Sequence, residues 1–226
     1  MHASKRQSPV RFPARPLQTV LRDHWEVALI LDEEGPGPWL VDLCHQPRWD
    51  LQDGRIGDLA PGGLAVPGVP GDCRLENQLL INRMNGTQAA LWHLGSSAAP
   101  VLPDAAAYTD VTEATLFLAL FGPRTFEVTE HLTNLDFGNP QHRTPFLLQG
   151  PLAHVPCQAV VLARGEDGAG GVLLTCSRGY AQDMVQALLS AGAAHGLKPA
   201  GETRFKTWLA DLEKHPASAA TDNDLH

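Results

Sequence analysis

Residues 110–136, DVTEATLFLALFGPRTFEVTEHLTNLD, hold the pattern from which the fold is read. Positions 115–121 (TLFLALF) are apolar almost without a break, which predicts a strand covered on both faces. Gly122-Pro123 stops the run. Proline fixes φ and has no amide hydrogen for a ladder, so it suits the first turn of a helix better than the middle of a strand. Phe126, Val128 and Leu132 then alternate with Glu127, Glu130 and His131, which predicts a short amphipathic helix. A central strand feeding a helix across a Gly-Pro hinge is, by itself, core architecture without chemistry.

Working outward, 226 residues suffice for one large domain or two small ones, and 43% apolar with 19% charged residues marks a globular chain. The net charge of −8 excludes a nucleic-acid binder, which needs a basic footprint. Lys5, Arg6, Arg11, Arg15 and Arg22 crowd the beginning of the chain, which reads as a solvated arm. No signal-peptide core and no apolar run of transmembrane length is present, so a soluble, cytoplasmic protein without a membrane partner is expected. Cys44, Cys73, Cys157 and Cys176 are scattered, without a CxxC pair, and are expected to be reduced and mostly buried. Cys44-His45 has no second pair at zinc spacing, and Cys157 and Cys176 fall in strand-like runs where inert thiols are expected.

Along the chain, residues 1–20 read as a flexible arm and 21–95 as a first subdomain. In the latter, 25–31 (WEVALIL) and 38–43 (PWLVDL) are strands, HQPRWDLQDG has no clear period, and 59–72 is a Pro/Gly-rich connection. Asn85-Gly86, between the apolar runs 79–81 and 89–94, is the strongest hairpin signal. Residues 96–108 form a linker, 109–214 a second subdomain and 215–226 a disordered tail. In the second subdomain, 137–150 reads as loop, 159–163 and 172–176 as strands, and Ser177 as a helix cap. Ala181, Met184, Val185, Leu188 and Leu189 make a helical stripe, and Phe205, Trp208, Leu209 and Leu212 make another over 202–214. The class is therefore α+β, helices packed on largely antiparallel sheet.

The opening stretch resembles the glycine cleavage T-protein (aminomethyltransferase) superfamily, which includes the gamma subunit of heterotetrameric sarcosine oxidase. Asp110-Val111-Thr112, Leu118, Leu120, Gly122-Pro123 and Val128 match one block of that family, and Leu132-Thr133 with Asp136 its continuation. In order come His154-Val155-Pro156, the turn Arg164-Gly165-Glu166-Asp167-Gly168, the helix from Tyr180-Ala181 to Leu188-Leu189 with Ala191-Gly192, and Gly196-Leu197-Lys198-Pro199-Ala200-Gly201. The resemblance is clear over the C-terminal half and faint before it. It implies the folate-binding T-protein fold in two subdomains, without the family's C-terminal barrel.

The same resemblance bears on activity. Residues 73–83 lie on the strand that lines the family's folate site: Leu75, Leu79, Ile81 and Arg83 agree, while the two acids fall on Asn77 and Gln78. An amide cannot ionise, so the proton chemistry of those acids is gone. A distal glutamate of the turn is replaced by the glycines after Gly168, and Arg204–Leu209 replaces a block rich in Arg and Glu. The expectation is a non-catalytic subunit of a multiprotein redox complex, either sarcosine-oxidase-type or a lipoate-carrier, heterodisulfide-reductase-like system of sulfur oxidation. Catalytic and metal residues are expected to be none, and no cofactor is required. The alternatives are a folate-binding module lined by Asn77, Gln78, Arg83 and Glu166, with tetrahydrofolate as ligand, or a residual aminomethyltransferase that uses Glu76.

Overall fold

The computed structural model describes residues 5–95, 99–103, 105–165 and 168–214. The strands are β1 (Pro16–Arg22), β2 (Trp25–Leu31), β3 (Trp39–Asp42), β4 (Arg48–Gln52), β5 (Cys73–Glu76), β6 (Leu79–Arg83), β7 (Gln88–His93), β8 (Tyr108–Asp110), β9 (Thr115–Gly122), β10 (Phe146–Leu152), β11 (Val155–Arg164), β12 (Gly170–Ser177) and β13 (Lys198–Ala200). The helices are α1 (Thr125–Glu130), α2 (Ala181–Gly192) and α3 (Glu202–Lys214). β9 sits inside a six-stranded sheet of order β10-β11-β12-β9-β3-β13. A five-stranded sheet, β5-β6-β7-β4-β8, is antiparallel throughout, and β1 pairs with β2 alone.

The unbroken apolar run of β9 has its reason here. Leu116, Leu118 and Leu120 face α1 and α2, against Val128, Met184, Val185 and Leu188. Phe117, Ala119 and Phe121 face the second sheet, against Leu80, Trp92 and Leu94, with Phe205 and Leu209 of α3 closing the end. Both faces of the strand are therefore dry, and alternation would bring a polar side chain into one core or the other. A third core, under the outer face of the five-stranded sheet, packs Leu51, Ile81 and Leu91 on Ile56, Leu64 and Val66 of the Pro/Gly-rich connection. The hinge works through Gly122, whose φ of 110° suits glycine and whose absent side chain leaves Trp39 room. Arg124, at φ 57°, turns the chain into α1.

The α+β class, sheet-dominated and with few helices, is as expected. Several element assignments differ. β1 begins within the expected N-terminal arm and pairs with β2. Residues 137–150 do not stay loop: β10 begins at Phe146 and carries Gly150 and Pro151, which an edge strand tolerates because its outer side needs no ladder donor. β4 lies in the stretch that shows no period, and β13 is an edge strand containing Pro199. Ser177 makes no capping bond, and a short 3₁₀ turn, Arg178–Tyr180, precedes α2. The two expected halves also exchange strands: β3 sits between β9 and β13, and β8 sits beside β4. The expected tail, 215–226, lies outside the described residues. Among the described residues no helix is long and apolar enough to cross a membrane.

One buried cation ties the two sheets. The Arg48 side chain is fully buried at the start of β4 and lies over the Phe117 ring, 4.8 Å from its centroid. Its Nη1 donates to the carbonyls of Gln46 (2.6 Å) and Cys44 (3.4 Å). Its Nη2 donates to those of Thr112 (2.5 Å) and Thr115 (3.1 Å), and its Nε to Thr115 Oγ1 (3.1 Å). Burial pushes the guanidinium down to about 10, which leaves it charged at neutral pH. Arg48→Met should therefore cost at least about 3 kcal/mol in urea unfolding, since several buried acceptors lose their donor. Arg48→Lys should recover only part, because an ammonium has fewer donors and no planar fork; a loss under about 1 kcal/mol for the Met variant would show that water replaces the guanidinium.

Candidate functional site

Asn77 and Gln78 are the two residues of the β5–β6 turn, closed by the pair Glu76 and Leu79. Both have positive φ, 49° and 63°, as the tight two-residue hairpin turn requires. Asparagine tolerates this conformation; glutamine adopts it under strain and is held by its surroundings. Leu94 N–H donates to the Gln78 carbonyl at 2.8 Å. Gly95 admits the turn: a β-carbon there would collide with Gln78 Oε1 and His93 Nε2. Asn77, Glu76 and His93 line a cavity of about 180 Å³ with Gly62, Gly63 and Leu79.

Behind His93 lies a buried polar junction built from separate segments. Glu202, the first residue of α3, is 2% exposed. Its Oε1 accepts from Arg22 Nη1 (2.7 Å) and Gln46 Nε2 (2.9 Å) and meets His45 Nε2 at 2.9 Å. Lys206 Nζ, one turn along α3, stands 3.7 Å from the same oxygen and donates to the Leu94 carbonyl. Burial alone would raise the Glu202 carboxyl, but the bonds from His45 and Arg22 outweigh it and hold the group well below the usual carboxylate range. Burial pushes Lys206 down to about 8, against the pull of Glu202. His93 is lowered too, first by burial and then by the Lys206 charge. The junction thus sets a neutral imidazole at the cavity wall and, behind it, an amine that gives up its proton in mildly alkaline solution.

Of the side chains expected to line one ligand pocket, the described ones fall at the two ends of β6. Asn77 and Gln78 lie at one end of β6. Arg83 ends the same strand, about 17 Å away at the rise of a β-strand. Its guanidinium donates to the carbonyls of Asn85 (2.6 Å) and Gly86 (2.7 Å), so it shapes the Asn-Gly hairpin. Glu166 lies outside the described residues. Cys44 and His45 also diverge: Cys44 Sγ meets the backbone of Phe117, while His45 turns to Glu202. His93, Glu202, Lys206 and the role of His45 carry no local sequence signal, apart from an acid in the first turn of a helix.

No family model matches the chain. Aminomethyltransferases of two strains of Porphyromonas gingivalis are 38% identical to it over 84 residues, which is 37% of this chain and 22% of theirs. The chain therefore spans little more than a fifth of the length of these relatives. A chain of the heterotetrameric sarcosine oxidase from Corynebacterium sp. U-96, solved in complex with pyrrole 2-carboxylate, superposes with a TM-score of 0.56 at 14% identity, covering 69% of this chain and 83% of that one. The likeness to the oxidase concerns the fold alone. Together they bear out the resemblance to T-proteins and to sarcosine oxidase that the sequence carries.

Two opposite pH effects follow. Lys206 holds its proton less tightly folded than unfolded, so its charge costs stability below pH about 8, and the cost is relieved as pH rises towards about 10. Urea midpoints of the wild type should rise across that window relative to Lys206→Met. Glu202 acts the other way: its depressed value gives stability present above the ordinary carboxylate range, about 4.3, and lost as pH falls below it. Glu202→Gln should remove that acid slope and cost on the order of 2 kcal/mol at neutral pH. Parallel pH profiles for wild type and variants would contradict the junction as described.

Proposed function

We propose that this chain is a T-protein-like subunit of a multiprotein redox complex, serving as a binding scaffold and not as an aminomethyltransferase. The observation that carries the proposal is the β5–β6 turn. Asn77 and Gln78 stand where the resemblance places two acids, and neither can take up or release a proton near neutral pH. The fold likeness to a chain of a heterotetrameric oxidase supports the subunit role. The partners in this reading are a flavin-dependent complex of the sarcosine-oxidase type, or the lipoate-carrier proteins of a heterodisulfide-reductase-like sulfur oxidation system. Affinity purification from the native host should return fixed partners in stoichiometric amounts; a strictly monomeric protein would count against the proposal.

A second reading, folate binding with or without residual transfer, is favoured by one observation: Glu76 supplies a carboxylate to the cavity beside Asn77 and His93. Against it, about 180 Å³ is below the usual size of a ligand pocket, and Arg83 is committed elsewhere. Arg83 therefore lends nothing to a folate pocket beside Asn77, and no transfer step is assigned to these residues. Calorimetry with tetrahydrofolate separates the readings. No heat at high micromolar ligand is expected; saturable heat that Glu76→Gln abolishes would favour the second reading.

A further inference from the structure

β1 is paired with β2 along one edge, and its other edge is open. Every residue from Pro16 to Leu21 is exposed, Leu17 to 58% and Leu21 to 68%. Among the described residues no strand other than β2 pairs with β1. The isolated bridge between Arg6 and Trp25 uses the far side of β2 and leaves β1 untouched. Sheet edges are usually blunted by charges, proline or bulges. Here such devices are confined to the start of the strand, at Pro16 and at a register shift around Leu17, and residues 16–21 carry no charge.

The turn at the end of the ribbon decides which backbone groups face outward. Asp23 and His24, both at positive φ, join β1 to β2, and Arg22 and Trp25 are the hydrogen-bonded pair that closes this two-residue turn. Bonded and non-bonded pairs alternate from there. Val20 is thus turned towards Val27, while the N–H and C=O groups of Leu21 and Thr19 point away from β2. Leu17, beyond the register shift, has no opposite residue on β2.

We propose that the open edge of β1 pairs antiparallel with β1 of a second copy of this chain, about a two-fold axis at Thr19. A two-fold contact needs a surface that complements itself, and β1 has that pattern. With the axis at Thr19, the two Thr19 residues exchange their outward backbone bonds, and Leu17 of each copy meets Leu21 of the other. Beyond the leucines, Arg15 of each copy comes opposite Asp23 of the other. These side chains are 78% and 73% exposed in the single chain, so both are open to a partner of opposite charge. Moving the axis to Val20 would set Leu17 against Asp23, and moving it to Gln18 would set Arg15 against Leu21. The net charge of −8 on each copy opposes association, and one strand edge is smaller than a standard interface. The dimer is therefore weak and dissociates on dilution. The contact does not depend on the subunit reading.

The test is light scattering on the full chain from about 1 μM to about 1 mM. The mass should climb from 24.3 kDa towards twice that value as concentration rises. Thr19→Pro removes only an outward donor and should abolish the climb. Leu21→Lys should raise the dissociation constant by about tenfold or more. Arg15→Asp and Asp23→Arg should each weaken the dimer alone, and mixing the two variants should restore it, because both end pairs are then of opposite charge. A monomer throughout the range, a dimer that survives Thr19→Pro or Leu21→Lys, or a mixture no tighter than its components would each overturn the contact. Thermal melting shows which variants fold, and Leu21→Lys, at an exposed position, decides where another does not.

Discussion

The architecture depends on the Arg48 guanidinium. A charge this deep is tolerated only if its donors are used, and here they are used on oxygens from two loops. Cys44 and Gln46 follow β3; Thr112 and Thr115 lead into β9. A residue of the five-stranded sheet thereby fixes where two neighbouring strands of the six-stranded sheet begin and end. Asp110 Oδ1 accepts from Thr112 N–H at 2.8 Å, and Thr112 Oγ1 accepts from Arg48 N–H at 3.0 Å. The Asp-Val-Thr motif, which in sequence carries only a resemblance, is the seat of this arginine.

The polar junction is the next layer of the same arrangement. With Gln46 tied to Arg48 by its carbonyl, its side-chain amide is set against Glu202, and His45 beside it is presented to the same oxygen. α3 therefore docks on an anchored loop. The carboxylate gains from its place at the helix N-terminus as well as from its donors. From there a line of contacts through Lys206 and Leu94 reaches the Asn77-Gln78 turn.

Much of this fold was legible in the sequence because its central elements are governed by burial. β9, the α2 stripe and the α3 face show their period in apolar residues, and Asn85-Gly86 marks its hairpin. β10 and β13 escaped because prolines and polar residues, tolerable at a sheet edge, read as loop. The candidate site was half visible. Asn77 and Gln78 stood out against a family motif, whereas His93, Glu202 and Lys206 meet only through topology. No local pattern marks single polar residues drawn from distant segments. Cys157 and Cys176 illustrate the same limit, since register and not spacing sets them opposite one another on β11 and β12.

The parallel pairing of β3 with β13 has a consequence for how the protein is made. Residues 39–42 find their outer neighbour in residues 198–200, and α3 covers the junction afterwards. During synthesis the outer edge of β3 waits unpaired until residues 198–200 have emerged. Long-range closure of this kind is slow, and exposed edges invite association while it is pending. The burden of quality control thus falls on β13 and α3.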